Sequence, residues 1–256
     1  MSFHGIPCWF ELSVADPDRA EAFYTALFGW EIADAGMPGF DYRLARAGAD
    51  MVAGVMPLSA LPEGALANWM LYIAVDDCDA TAAQAVALGG KLWKEPADIP
   101  GTGRYAVLAD PQGAVFGILQ PLPMDPPPEG GAWNQKAAGH GTWLELMSTD
   151  PQAALGFYGA LFGWQADEVM DTGEMGPYHL FRHQGAQLGG MMGLGPSPYP
   201  NWLCYFGVDD LAAAMAQVNA MGGTVPMGPV EVPGPALIAV VQDNQGAWFA
   251  MVGPKP

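Results

Sequence analysis

Apolar positions between residues 16 and 29 recur with the spacing of one face of an α-helix. They follow the order i, i+3, i+4, i+7 and i+8, which places them on a single stripe. Asp16 is a good N-cap, Pro17 suits the first helical position and Gly29 suits the C-terminal stop. We therefore predict a helix between these signals, with a buried stripe formed by Ala20, Phe23, Tyr24, Leu27 and Phe28.

The same pattern returns in the second half of the chain. Residues 23–30 read FYTALFGW and residues 157–164 read FYGALFGW, an offset of 134 positions (157 minus 23). Further matches keep their order: WFEL and WLEL, NWMLYIAVDD and NWLCYFGVDD, and DPQGAVF and DNQGAWF. A repeat this long indicates a tandem duplication of domains and not a short-repeat solenoid.

Each half contains a second start of strand and helix. Val75, Asp76 and Asp77 precede an Ala-rich segment that ends at Gly89 and Gly90. The other segments are short, β-branched or aromatic, and separated by turns such as DPQG at 110–113, which is typical of antiparallel strands and hairpins. We predict an α+β protein in which each module contains a strand, a helix and three further strands, with four modules in the chain.

A Pro/Gly-rich segment separates the two copies. It reads PLPMDPPPEGGAWNQKAAG from residue 121 to residue 139 and breaks both helical and alternating patterns. We predict a first domain over residues 1–121, a linker over residues 122–138 and a second domain over residues 139–256.

Composition narrows the classes of partner. The formal net charge is −18 at pH 7, so the chain lacks the basic surface that nucleic acid or an anionic membrane requires. No stretch approaches the roughly 18 uninterrupted apolar residues of a membrane span, and the N-terminus does not resemble a signal peptide. Three widely separated cysteines suit a reducing compartment. We expect a cytoplasmic protein with a small-molecule ligand, acting as a monomer or a homodimer.

Three features together resemble a known family. These are a strand ending near Val-Ala-Asp, a helix carrying F-Y-x-x-L-F-G-W, and a late strand after the turn that starts at Asp110. In this combination the chain resembles the vicinal oxygen chelate superfamily, which includes glyoxalase I, bleomycin-resistance proteins and extradiol dioxygenases. The resemblance implies βαβββ modules paired into two cup-shaped antiparallel sheets, one per half.

Enzymes of that superfamily usually hold a divalent metal with His, Gln or Glu on inner strand positions. In this sequence the matching positions carry no suitable oxygen or nitrogen ligand in the side chain. We therefore predict no metal site and no cofactor, and keep a divalent metal as the alternative. The matching positions are Trp9, Ala53 or Gly54, Met70 and Gly117, and then Trp143, Gly190, Leu203 and Ala250.

Other side chains on the same strand faces are the candidate functional residues. Residues two apart on a strand share a face, so Glu11 accompanies Trp9 and Glu145 accompanies Trp143. We take the two glutamates as candidate catalytic groups, because a carboxylate in an apolar cup can act as a general base or hold a cationic group. Expected pairing of Arg104 with Leu119 directs Arg104 inward and makes the first half the preferred site. The expected ligand-binding residues are Trp9, Met70, Tyr72, Arg104, Trp143, Tyr205 and Trp248.

Structural roles remain open for several of these residues. The glutamates could bond neighbouring backbone or face solvent, and Arg104 could form a surface ion pair. Trp69 and Trp202 are expected to be packing residues.

Three functions follow from these expectations. The preferred one is a metal-free protein that binds a small aromatic or hydrophobic molecule. The alternative is a metal-dependent lyase, isomerase or dioxygenase, and the third is a structural or regulatory protein whose cups are filled by its own side chains.

Overall fold

The computed structural model describes residues 3–123 and 130–255, so residues 124–129 of the predicted linker lie outside the described residues. Each half contains two helices and eight strands in the order βαβββ–βαβββ, with a short 3-10 helix at Leu58–Ala60 and at Gly173–Met175. The first half contains β1 (Pro7–Val14), α1 (Pro17–Phe28), β2 (Glu31–Asp34), β3 (Arg43–Ala47), β4 (Asp50–Pro57), β5 (Asn68–Ala74), α2 (Cys78–Ala87), β6 (Lys91–Ile99), β7 (Gly103–Ala109) and β8 (Val115–Pro121). The second half contains β9 (Gly141–Met147), α3 (Pro151–Phe162), β10 (Gln165–Asp171), β11 (Pro177–His183), β12 (Ala186–Met192), β13 (Asn201–Gly207), α4 (Leu211–Ala220), β14 (Thr224–Glu231), β15 (Ala236–Gln242) and β16 (Trp248–Pro254).

The helix signals of the sequence are used as predicted. Asp16 caps α1 by accepting a hydrogen bond from the Arg19 amide at 3.1 Å, and Gly29 ends the helix in the left-handed conformation at φ 68°. Asp150 and Gly163 do the same for α3. The helices within residues 3–123 and 130–255 are too short or too polar to cross a lipid bilayer.

The strands form one eight-stranded sheet per half, which confirms the predicted α+β class. The orders are β2-β3-β4-β1-β5-β8-β7-β6 and β10-β11-β12-β9-β13-β16-β15-β14. The sheets are mixed and not purely antiparallel, because β1 pairs in parallel with β4 and β5 pairs in parallel with β8. Helix α1 brings the chain back to the end of the sheet at which β1 began, so β2 runs parallel to β1. Two hairpins then connect β2 to β3 and β3 to β4, so β4 runs in the same direction as β2 and β1.

The two compact units of the structure do not coincide with the two halves of the sequence. One compact unit, here the outer unit, contains the described residues of 9–69, 129–143 and 204–256, and therefore the first and last modules. The inner unit contains the described residues of 1–8, 70–128 and 144–203, and therefore the two middle modules. Helix α1 contacts α4 in the outer unit, and α2 contacts α3 in the inner unit.

A buried polar network lies in the core of the outer unit. Tyr24, on α1, donates its hydroxyl hydrogen to Asp243 at 2.9 Å and accepts a hydrogen bond from Trp69 Nε1 at 3.0 Å. Asp243 also accepts backbone amides of its own turn, from Gln245 and Ala247. The network satisfies buried polar atoms that would otherwise be costly to enclose.

The inner unit repeats this network with the equivalent residues. Tyr158 donates to Asp110 at 3.1 Å and accepts from Trp202 Nε1 at 3.0 Å. Burial raises the pKa of Asp110, while the hydrogen bonds from its turn and from Tyr158 oppose that rise. Trp69 and Trp202 are only 5% and 6% exposed, so their expected packing role is confirmed.

Candidate functional site

Strand β1 divides its side chains between two faces. Phe10, Leu12 and Val14 are fully buried on one face. Trp9 and Glu11 alternate with them and are half-buried on the opposite face. The predicted pairing of Trp9 with Glu11 on one strand face is therefore present, and both side chains are accessible from solvent.

Tyr42 joins Trp9 and Glu11 on this face. Its hydroxyl accepts a hydrogen bond from Trp9 Nε1 at 3.1 Å and donates one to Glu11 Oε2 at 3.1 Å. Hydrogen bonds to a carboxylate are stronger than bonds between neutral groups. The three side chains form a hydrogen-bonded row, here called the Trp9–Tyr42–Glu11 row, with two aromatic rings beside one carboxylate.

Gly54 makes room for this row. It is the β4 partner of Glu11 on β1 and of Leu44 on β3, so it lies between β1 and the start of β3, which Tyr42 directly precedes. A Cβ built on Gly54 would overlap the Tyr42 hydroxyl. A glycine inside a strand marks the close approach of another group, and this was the signal from which Tyr42 could have been predicted.

The inner unit carries the equivalent pair. Tyr178 on β11 donates its hydroxyl hydrogen to Glu145 Oε2 at 3.1 Å, and the Tyr178 ring occupies the space that a Cβ on Gly190 would need. Glu145 and Tyr178 are both half-buried. Both candidate glutamates therefore accept a tyrosine hydroxyl that the sequence interpretation missed.

Met70 and Tyr72 lie on β5 in the inner unit. They alternate with the fully buried Leu71 and Ile73, so they share the face away from the helices. The Tyr72 ring lies across Gly117, its parallel partner on β8, because a Cβ there would overlap the ring. Tyr72 is 5% exposed, so it forms part of the floor of this face.

Three predicted binding residues of the second half belong to the outer unit. Tyr205 pairs with Ala250 on β16, and its carbonyl accepts a hydrogen bond from the Thr142 hydroxyl. Trp248 lies two residues before Ala250 and is 46% exposed, while Tyr205 is 3% exposed. Trp143 is half-buried at the middle of β9. Trp248 therefore offers the more accessible aromatic surface, and Tyr205 the more enclosed one.

The predicted inward orientation of Arg104 is wrong. Arg104 pairs with Gln120, and Leu119 pairs with Tyr105, so the register differs by one residue from the expected one. A shift of one residue turns every side chain of a strand to the other face. Arg104 instead contacts Asp79 on α2 at 2.6 Å and Asp98 on β6 at 2.8 Å. These carboxylates raise the pKa of the Arg104 guanidinium, and Arg104 holds the pKa of Asp79 below its ordinary value.

The register is set by a five-residue turn over residues 110–114. The expected pairing had assumed a turn that is one residue shorter. Asp110 Oδ1 accepts the amides of Gln112, Gly113 and Ala114, so strand pairing begins only at Ala109 and Val115. Tyr105 consequently takes the face that was assigned to Arg104. Its counterpart in the second half is Ile238, which pairs with Val252 as Tyr105 pairs with Leu119.

The donor set near the family's metal positions does not fit a divalent ion. Tyrosine rings cover Gly54, Gly117 and Gly190, three of the positions where the resemblance places ligands. Within residues 3–123 and 130–255, no three His, Cys, Asp or Glu side chains are grouped closely enough to hold a metal. Hard and borderline metals require several such ligands.

Comparison with known proteins identifies the family. Residues 9–119 match the model of the glyoxalase-like domain, and residues 141–251 match the model of the glyoxalase/bleomycin resistance protein/dioxygenase superfamily. A Mycobacterium tuberculosis protein named "Putative glyoxylase CFP32" is 35% identical, with 98% of this chain and 96% of the relative covered. The chain belongs to the glyoxalase/bleomycin resistance protein/dioxygenase superfamily.

Other members of the superfamily differ in chemistry. The anthracycline biosynthesis protein DnrV of Streptomyces peucetius is 32% identical, with 97% of this chain and 93% of the relative covered. The Mn(II)-bound glyoxalase of Novosphingobium aromaticivorans has a TM-score of 0.67 and 17% identity, covering 99% of this chain and 83% of that one. The 2,3-dioxygenase LapB of Pseudomonas has a TM-score of 0.67 and 12% identity, covering 100% and 94%. At these identities the two solved structures establish the shared fold and not the activity.

Proposed function

We propose that this superfamily member binds a small aromatic or hydrophobic molecule on the sheet face that carries the Trp9–Tyr42–Glu11 row, without a bound metal. The observation that supports the proposal is the row itself. Two accessible aromatic side chains provide apolar contact area, and a carboxylate beside them can orient a polar or cationic group.

The names of the relatives agree with an aromatic ligand. DnrV and its homologue DauV of Streptomyces sp. are named as anthracycline biosynthesis proteins, and anthracyclines contain fused aromatic rings. Such a ring system is complementary to an aromatic wall, since stacked aromatic pairs contribute about 0.5–1.5 kcal/mol beyond burial. The chain's own acidity favours a ligand that is neutral or cationic.

Catalysis on this face would use the same residues. Glu11 is the candidate general base, and the Tyr42 hydroxyl is placed to donate a hydrogen bond or to pass a proton to it. Glu145 and Tyr178 provide the same pair in the second half. Arg104 contacts Asp79 and Asp98, so it no longer supports a preference for the first half; the residue that takes its expected face on β7 is Tyr105, which has the apolar counterpart Ile238.

Fluorescence titration with an anthraquinone probe tests the binding proposal. We expect saturable binding by the wild type. In Trp9→Phe and Tyr42→Phe the Kd should be about tenfold higher, because each substitution breaks a hydrogen bond that holds the row in place. Tyr178→Phe and Glu145→Gln are the matched variants of the second half. The proposal fails if Trp9→Phe, Tyr42→Phe and Glu11→Gln all bind the probe as tightly as the wild type.

A metal-dependent lyase, isomerase or dioxygenase is the second candidate. It is favoured by the relative named as a glyoxylase and by the shared fold of the Novosphingobium glyoxalase, which is Mn(II)-bound. Elemental analysis of protein purified without chelator separates the two candidates. Stoichiometric Ni, Zn, Fe or Mn would support the enzyme and overturn the metal-free proposal.

A further inference from the structure

A pocket of about 300 Å³ opens in the outer unit, away from the Trp9–Tyr42–Glu11 row. It lies between the C-terminal end of α1 and the N-terminal end of α4. Its lining includes apolar and polar groups: Leu27, Phe28, Ala138, Asp209, Ala213 and Gln217. A pocket of this size is at the lower end of the range that holds small molecules.

The equivalent place in the inner unit is filled by the imidazole of His4. His4 Nε2 lies 3.1 Å from the carbonyl oxygen of Leu161, and the Asp76 amide donates to His4 Nδ1 at 3.3 Å. A carbonyl only accepts and an amide only donates, so in these two contacts Nε2 is the donor and Nδ1 the acceptor. The ring also packs near Phe162, with a centroid distance of 6.2 Å.

The repeat relates every one of these groups to a residue of the pocket. Leu161 corresponds to Leu27, Phe162 to Phe28 and Asp76 to Asp209, while His4 corresponds to Ala138. The pocket is therefore the place that an imidazole occupies in the other copy, with the imidazole replaced by a methyl group.

The backbone around the pocket is built in the same way in both units. In the inner unit Gly5 N–H donates to Ala74 and Ala74 N–H donates to Ile6, both at 2.8 Å. In the outer unit Gly139 N–H donates to Gly207 at 2.8 Å and Gly207 N–H donates to His140 at 3.0 Å. Ala138 thus starts from the same backbone position as His4, so the space in front of it is where a side chain of that kind would lie.

We infer that this pocket binds a small imidazole-containing molecule. The Leu27 carbonyl lies in the last turn of α1, where carbonyls have no partner within the helix, and is placed to accept from one ring nitrogen. The Asp209 amide, just before the N-cap Asp210 of α4, is placed to donate to the other nitrogen. Phe28 supplies the apolar wall that Phe162 supplies to His4.

The dimensions and charge of the pocket select among imidazole compounds. Its volume exceeds that of a bare five-membered ring, so a substituted imidazole fits. Asp209 and Asp210 are both exposed at the rim and disfavour a substituent with negative charge. Neutral or cationic imidazole derivatives are therefore the expected class.

Amide NMR with imidazole as the probe tests this inference at pH 8. We expect imidazole to shift the Asp209 amide of the wild type in a saturable way and to leave the Asp76 amide unchanged. Ala138→His should abolish the shift at Asp209, because its own side chain takes the place. His4→Ala should add a second saturable shift at Asp76, since it creates the same pocket in the inner unit.

A chemically matched probe distinguishes ring recognition from general partitioning. 1-Methylimidazole keeps the acceptor nitrogen and lacks the donor, so we expect about tenfold weaker binding at Asp209. Ala138→Met fills the pocket without polar atoms and provides a second blocked variant if Ala138→His does not fold. The inference is overturned if Asp209 does not respond in the wild type, whether or not His4→Ala responds at Asp76. Equal binding of the two probes would also overturn it.

Discussion

Tyr24 donates a hydrogen bond to Asp243 across 219 positions of sequence, at 2.9 Å. Tyr24 belongs to the first helix of the chain, and Asp243 opens its last turn. The bond therefore links the first module to the last one, within the outer unit. Tyr158 and Asp110 form the equivalent bond between the two middle modules. The repeated F-Y-x-x-L-F-G-W motif thus serves the core of a unit to which both halves contribute.

Removing the Tyr24 hydroxyl should destabilise the protein. Tyr24→Phe leaves Asp243 Oδ2 and Trp69 Nε1 without this partner in a buried place, at a cost of about 1–3 kcal/mol. Urea unfolding measures the change. Tyr158→Phe should behave similarly in the inner unit. Tyr199→Phe, at a position that is 56% exposed, should leave the midpoint unchanged. Equal midpoints for all three variants would contradict the proposed role of the network.

The halves of the chain should not fold separately as stable monomers. Residues 1–121 contain α1 without α4, and residues 139–256 contain α4 without α1, although these helices share one core. We expect each half alone to lack a cooperative unfolding transition, and a mixture of the two to regain it as a one-to-one complex. Calorimetry measures the unfolding transition, and analytical ultracentrifugation measures the stoichiometry of the complex. A half that unfolds cooperatively as a monomer would show that its modules do not need the other half.

Exchanging the two residues of β7 with their second-half counterparts should separate their roles. Arg104→Leu removes two ion pairs at the surface, with Asp79 and Asp98, so we expect little change in stability or in binding of the anthraquinone probe. Tyr105→Ile removes an aromatic ring from the inner-unit face that carries Tyr72, and should weaken several-fold any binding of the probe on that face. Titration of both variants measures the effect. If only Arg104→Leu weakened binding, the result would contradict the assignment of Arg104 to the face away from the probe.

Cys78 should make stability fall in alkaline solution. Burial, followed by repulsion from Asp79, raises the pKa of the Cys78 thiol from 9.0 to about 11. Because the folded pKa exceeds the unfolded one, this group's contribution is complete below pH 9 and is lost as the pH rises through about 11. The urea midpoint of the wild type should therefore fall more steeply over this interval than that of Cys78→Ala. Parallel curves would rule out the thiol as a source of the pH dependence.

Local signals in the sequence were sufficient for the helices and the module order. Asp16, Pro17 and Gly29 act through contacts within a few residues, so their roles could be predicted without knowledge of the fold. Asp77 and Asp210 likewise cap α2 and α4 through contacts within three residues. The family resemblance added the pairing of modules, which no local pattern contains.

The site was harder to predict because it depends on register and on contacts between strands. One additional residue in the turn at Asp110 was enough to exchange Arg104 for Tyr105 on the binding face. Tyr42, just before β3, and Tyr178, on β11, reach Glu11 and Glu145 across the intervening strands β4 and β12, and only the glycines Gly54 and Gly190 on those strands indicated them. Each compact unit combines one module from each half, and no repeated pattern in the sequence predicts this combination.

Shared cores also limit how the two copies of the duplicated gene can diverge. A mutation in the helix of one copy changes a contact with the turn of the other copy, so both F-Y-x-x-L-F-G-W motifs meet the same structural requirement. Side chains on the outward strand faces do not take part in these shared cores. At one such position the two copies differ, with Tyr105 in the first and Ile238 in the second. Either half can therefore change the side chains of its outward face, and with them its ligand, as long as both halves keep the residues of the two shared cores.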